Sequence, residues 1–141
     1  MSDFTEAFNS SMSARSTCSS LPCVLINRNE FAVFGYYTGC ECDEITEEAR
    51  TYLEHLTLGP KSFKEYCDTI TNDDLDVLIF PEIGMDPMTM RLAALRLAPV
   101  QCTSWGHPNT SGLQTMDFFL SSALMEPPDG DIFYTEKLIR L

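Results

Sequence analysis

The amino-acid sequence predicts an α/β fold built on a parallel sheet, and two observations carry that prediction. Short strand-like runs alternate with amphipathic helical stretches, the pattern of βαβ units joined by right-handed crossovers. One run, DVLIF at residues 76–80, is apolar after its first acid and too short for a helix. A strand covered on both faces reads this way.

Each element has its own signal. Residues 1–20 are polar, Ser-rich and aperiodic, and are expected to form a disordered tail ahead of a folded part at residues 21–141. Residues 31–37 (FAVFGYY) are aromatic and β-branched and read as the first strand. In residues 44–58, Ile45, Ala49, Tyr52 and Leu56 recur at helical spacing. Asp43 or Thr46 caps that helix, and Gly59-Pro60 stops it. A second helix is expected over residues 61–70, with Phe63, Tyr66, Cys67 and Ile70 on one face. After the strand at 76–80 and a loop at 81–87, Pro87 suits the first turn of a helix running to about residue 97. Strands are then expected at 100–105, at 116–120 and from residue 138. A loop at 106–112 and a turn cluster at 126–130 separate them.

Charge and cysteine usage narrow the function. The net charge is −12, from 9 Lys+Arg against 21 Asp+Glu. Such a chain repels a phosphate backbone, which excludes nucleic acid and an anionic membrane surface as expected partners. No run approaches the ~20 apolar residues that span a bilayer. The N-terminus lacks the basic start and apolar core of a secretory signal. Of the 6 cysteines, only Cys40 and Cys42 lie close together, and no CxxC pair occurs. Neither a metal site nor a disulfide framework is expected from that spacing. Reduced cysteines in a cytoplasmic protein, with the nucleus as second choice, is the simplest account.

In an open parallel sheet, ligands sit beyond the carboxyl ends of the strands, and two predicted loops occupy that edge. The second, residues 105–112, reads WGHPNTSG. Gly106 and Gly112 allow close backbone approach, and Thr110 and Ser111 offer hydroxyls beside main-chain amides. Trp105 could stack on a sugar ring, and His107 could serve as acid, base or donor near neutral pH. The plain alternative makes 106–108 a tight turn, 109–111 the cap of a short helix, and Trp105 a core residue. Residue types alone favour that alternative. The first loop, PEIGMDP, sets the carboxylates of Glu82 and Asp86 on either side of Gly84. They suit acid–base work or a cation, although capping of the following helix is the better reading of Asp86. His55, on the expected first helix, has no partners for catalysis.

Residues 76–112, DVLIFPEIGMDPMTMRLAALRLAPVQCTSWGHPNTSG, closely resemble the catalytic region of the protein O-GlcNAc transferase family, which includes SPINDLY-like and bacterial TPR-linked glycosyltransferases. The likeness continues through MDFFL at 116–120, MEPP at 125–128 and YTEKL at 134–138, and covers roughly residues 30–141. The resemblance implies a Rossmann-like parallel sheet with flanking helices, part of the N-terminal lobe of a two-lobe GT-B glycosyltransferase. It implies transfer of GlcNAc or a similar sugar from a UDP-sugar to Ser or Thr of a protein, without metal or other cofactor. By the same match, Trp105, Gly106, His107, Pro108, Thr110, Ser111 and Gly112 line the sugar side of the cleft. Glu82 and Gly84 stand at the neighbouring strand end, and His107 is the one weak candidate for a catalytic group.

The departures from the family pattern set a further expectation. The segment corresponding to the second, uridine-diphosphate-gripping lobe is not in this sequence, nor are TPR repeats, and Asn72 falls where the best-known members carry a histidine. The chain is therefore expected to be an incomplete lobe without measurable transfer of its own. The alternative is a catalytically inactive paralogue acting as a protein-interaction module. An exposed cleft face would favour self-association.

Overall fold

The computed structural model describes residues 27–141 except Arg28, Glu41, Glu82 and residues 105–108; for Ile45 it describes the backbone alone. The expected tail and the turn at 106–108 lie outside the described residues. The chain divides into two compact units, Met1–Pro60 and Lys61–Leu141.

In the first unit, strand β1 (Phe34–Tyr37) pairs in parallel with β2 (His55–Leu58), Phe34 opposite His55 and Tyr37 opposite Leu58. Helix α1 (Glu44–Thr51) connects them. Asp43 and Thr46, the two candidate caps, act together: the Thr46 N–H donates to Asp43 Oδ1 at 2.9 Å and the Asp43 N–H to Thr46 Oγ1 at 3.4 Å. The helix expected to reach residue 58 ends at Thr51, because the HLTL segment takes main-chain partners from β1 instead. A parallel ladder outweighs the helical spacing of Tyr52 and Leu56. His55 is thus a strand residue, its ring stacked on Phe34 at 5.0 Å.

Among the described residues, the buried core lies wholly in the second unit. Helix α2 (Phe63–Asn72) starts at a capping box, with the Ser62 N–H donating to Glu65 Oε2 at 2.8 Å. It buries Tyr66 and Ile70, while Phe63 sits beneath the Arg91 guanidinium at 4.3 Å. Strand β3 (Val77–Phe80) leads to α3 (Pro87–Ala93), β4 (Val100–Ser104), β5 (Phe118–Ser121), a short 3-10 helix (Gly130–Phe133) and β6 (Lys137–Arg140). The 3-10 helix was not anticipated.

The four strands form one parallel sheet in the order β3-β4-β5-β6. Its centre is buried on both faces: Gln101, Cys102 and Thr103 of β4 and Phe119, Leu120 and Ser121 of β5 are all enclosed. The expectation of a doubly covered strand at 76–80 therefore belongs to β4 and β5. β3 stands at the sheet edge, where only Leu78 and Phe80 are buried and Val77 and Ile79 are half-buried. Helix α3 also stops short of residue 97. Gln101 takes the Leu95 carbonyl at 2.9 Å and the Leu97 N–H at 2.8 Å, removing both from any continuing helical ladder.

Candidate functional site

All four strands point the same way, so their carboxyl ends at Phe80, Ser104, Ser121 and Arg140 share one edge. The loop after β3 turns on Gly84, whose φ of +95° lies in the left-handed region that glycine enters freely. Ile83 beside it is buried and pins the loop to the core. Asp86 caps α3 with both carboxylate-accepted bonds to Thr89, at 2.8 Å from its N–H and 2.6 Å from its hydroxyl. The capping reading of Asp86 is therefore borne out, and its carboxylate is occupied. Glu82, its proposed partner, lies outside the described residues.

The loop after β4 behaves differently from a simple edge loop. Trp105, Gly106, His107 and Pro108 lie outside the described residues. Thr110 and Ser111 contact Thr135 and Glu136, which lead into the amino end of β6. The expectation that the whole loop sits at the carboxyl edge is corrected at this point. β5 runs parallel to β4, so the connection must return to the amino end of the sheet before β5 can start. Residues 110–112 already belong to that return leg. No helix starts directly after residue 111, where the chain runs through a turn to β5, so 109–111 cap nothing helical.

Glu136 is 5% exposed, and three donors converge on it. The Ser111 N–H reaches Oε1 at 2.8 Å, the Ser111 hydroxyl also reaches Oε1, and the Thr110 hydroxyl reaches Oε2 at 2.6 Å. Burial pushes the Glu136 carboxyl upward, but the hydroxyls of Ser111 and Thr110 and the main-chain donors outweigh it. The net effect holds this acid below the ordinary value of 4.5. Thr110 Oγ1 in turn accepts from the N–H groups of Thr135 at 3.1 Å and Gly112 at 3.3 Å. Gly112 carries φ +67°, with open space where a Cβ would lie.

A second polar frame supports the same connection from its far end. Asp117 accepts from the Gln101 N–H at 2.8 Å and pairs with Arg96. Gln101, fully enclosed, also donates to the Thr115 carbonyl at 3.0 Å, and the Thr115 hydroxyl donates to the Ala93 carbonyl. Thr103 Oγ1 donates to the Phe80 carbonyl at 3.0 Å, tying β4 to the end of β3. On the β6 side, Glu126 Oε1 accepts from Ser121 at 2.6 Å and from the Tyr134 hydroxyl at 2.8 Å.

Neither Glu136 nor Gln101 was picked out from residue types. A buried glutamate shows no periodic or motif signal of its own. The nearest hint was the YTEKL string that forms part of the family likeness. Among the described residues, no group of three or more His, Cys, Asp or Glu side chains could hold a metal ion. No described helix is long and apolar enough to cross a membrane.

Comparison with known proteins gives this frame a relative. No family model matches the chain. The probable UDP-N-acetylglucosamine–peptide N-acetylglucosaminyltransferases SPINDLY of Oryza sativa subsp. japonica and Arabidopsis thaliana are 35% and 36% identical to it over 80 residues. That of Solanum lycopersicum is 35% identical over the same length. Each match covers 55% of this chain and 8% of the relative, so the chain spans a small part of the length of those proteins. A mutant O-GlcNAc transferase of Thermobaculum terrenum superposes with a TM-score of 0.76 at 25% identity, over 99% of this chain and 24% of that one. The resemblance to O-GlcNAc transferases, and the α/β fold with parallel strands and flanking helices that it implied, are thus both borne out over this part of those longer proteins.

Proposed function

We propose that this chain supplies the sugar-facing wall of a nucleotide-sugar site, as part of the N-terminal lobe of a GT-B glycosyltransferase acting on protein Ser or Thr. The observation that carries the reading is the conjunction of the WGHPNTSG loop with a parallel sheet that superposes on an O-GlcNAc transferase. The names of the SPINDLY relatives supply the donor class, UDP-N-acetylglucosamine, and the acceptor class, a peptide. Trp105, Gly106, His107 and Pro108 are assigned to the sugar, with Gly84 and Glu82 on the neighbouring strand end. Thr110, Ser111 and Gly112 serve the site by anchoring the loop, since both hydroxyls and the N–H groups of Ser111 and Gly112 are already engaged. The reduced cysteines suit a cytoplasmic setting.

A titration of UDP-GlcNAc into the 15N-labelled chain tests the reading. Shifts confined to Gly84 and residues 105–112, saturating with donor, are expected. A chain whose spectrum does not move at millimolar UDP-GlcNAc would refute the assignment. A peptide-transfer assay run alongside separates a donor-binding wall from a working transferase.

A further inference from the structure

We propose that Glu136 is a positioning residue: as a buried carboxylate it fixes residues 110–112, the return leg that anchors the donor loop. The inference rests on the donor-site reading above and extends it to a residue that touches no donor. Its basis is the way one enclosed acid gathers three donors from two adjacent residues. Two of the three arrive at Oε1 and one at Oε2, so both oxygens must be acceptors. A carboxylate meets that demand and an amide does not.

The chemistry of Thr110 sharpens this. Its oxygen accepts from the N–H groups of Thr135 and Gly112, so both lone pairs are taken and its one proton faces Glu136 Oε2 at 2.6 Å, with the Thr135 hydroxyl oxygen at 2.8 Å the other acceptor in reach. An amide nitrogen placed where Oε2 now lies would face an oxygen with no lone pair left to accept. Turning the amide over moves the conflict to Oε1, where it meets the Ser111 N–H, a donor that cannot reverse. Glu136→Gln therefore keeps size and shape and breaks the network in either orientation. The Thr110 hydroxyl also holds the Gly112 N–H, so the left-handed turn at Gly112 inherits its geometry from Glu136 through one intermediate.

The test compares wild type, Glu136→Gln, Thr110→Val and Thr110→Ser as full chains. The first readout is the amide resonance of Ser111, expected far downfield in the wild type because its proton points at a carboxylate. It should move upfield in Glu136→Gln and stay in place in Thr110→Ser. Hydrogen exchange at Phe119 and Leu138 should remain unchanged, showing that the β5–β6 pair is intact. The second readout is the affinity for UDP-GlcNAc, expected to weaken about tenfold in Glu136→Gln and Thr110→Val and to hold in Thr110→Ser. A Ser111 amide that stays downfield in Glu136→Gln overturns the clamp. A moved amide with unchanged donor affinity overturns the positioning role. A wild-type chain that fails to bind UDP-GlcNAc overturns the donor reading, and the amide shift then still decides the clamp. Should Glu136→Gln not fold, the contrast between Thr110→Val and Thr110→Ser carries both readouts.

Discussion

Gln101 Nε2 donates to the main-chain carbonyl of Thr115 at 3.0 Å, so a side chain on β4 closes the connection that leads into β5. Its other proton goes to Leu95 and its oxygen to the Leu97 N–H. One residue thereby satisfies three main-chain groups where the polypeptide can form no ladder. Gln101→Leu keeps the volume and orphans all three. At ~1–3 kcal/mol for each buried unsatisfied group, the loss should be at least ~3 kcal/mol. Urea unfolding of the variant checks this, and a loss under ~1 kcal/mol would show that water replaces the amide.

Gly112 offers a clean separation of backbone strain from packing. A Cβ there meets nothing within 4 Å, yet φ is +67°. Gly112→Ala should cost ~1–2 kcal/mol through the left-handed conformation alone. Gly112→Asn should cost less, because asparagine enters that region more readily. Equal thermal destabilisation by the two variants would point to an unseen contact instead of φ.

The fold was legible where local chemistry and final structure agree. Asp43 and Asp86 read as caps, and both accept from the N–H three residues on. The short apolar runs read as strands because a parallel sheet buries them. The errors share one cause. Residues 52–58 have helical spacing, but their partner is a strand distant in sequence. Residues 94–97 could continue α3, but a glutamine further along takes the Leu95 carbonyl and the Leu97 N–H. Both outcomes depend on pairing between separated segments, which no single window contains. The same holds at the candidate site. The glycines and hydroxyls of residues 106–112 stand out in the sequence, whereas the acid that commits two of those hydroxyls follows 25 residues after Ser111.

Tyr134 provides a spectroscopic handle on the β5–β6 connection. Burial, followed by its hydrogen bond to Glu126, pushes its hydroxyl up to about 12. Its ring packs against Phe119 with centroids 4.4 Å apart. An alkaline absorbance titration of wild type minus Tyr134→Phe should therefore show one component with its midpoint at about 12. The variant should lose about 1 kcal/mol, the net worth of one hydrogen bond, because Ser121 still donates to Glu126. A difference curve with a midpoint near the ordinary value of 10.0 would place the hydroxyl in water.

Cys102 should be chemically silent in the folded chain. It lies on the doubly covered strand β4, and burial, followed by the nearby Asp117 charge, pushes its thiol up to about 12. The thiolate is the nucleophile, so both its protonation and its enclosure block attack. Cys40 and Cys42 are exposed and free. Brief iodoacetamide treatment followed by peptide mapping should label these two and leave Cys102 unmodified until urea is added. Labelling of Cys102 at a comparable rate without denaturant would show that the sheet opens locally.

Acid should destabilise the chain, with a sign that follows from two carboxylates. Glu136 is held below 4.5 and Asp117 below 3.8, the latter because its bonds to Arg96 and the Gln101 N–H outweigh the burial that pushes it up. A group with a depressed folded-state value binds fewer protons folded than unfolded. Its contribution is complete above the unfolded value and disappears as pH falls through the folded one. The urea midpoint should therefore stay flat from about pH 7 to about pH 5 and fall below that. Glu136→Gln, already lacking the ionised acceptor, should start lower and show a shallower acid limb. A variant limb as steep as the wild type's would assign the acid sensitivity to Asp117 and its partner Arg96, and would remove Glu136 from the account.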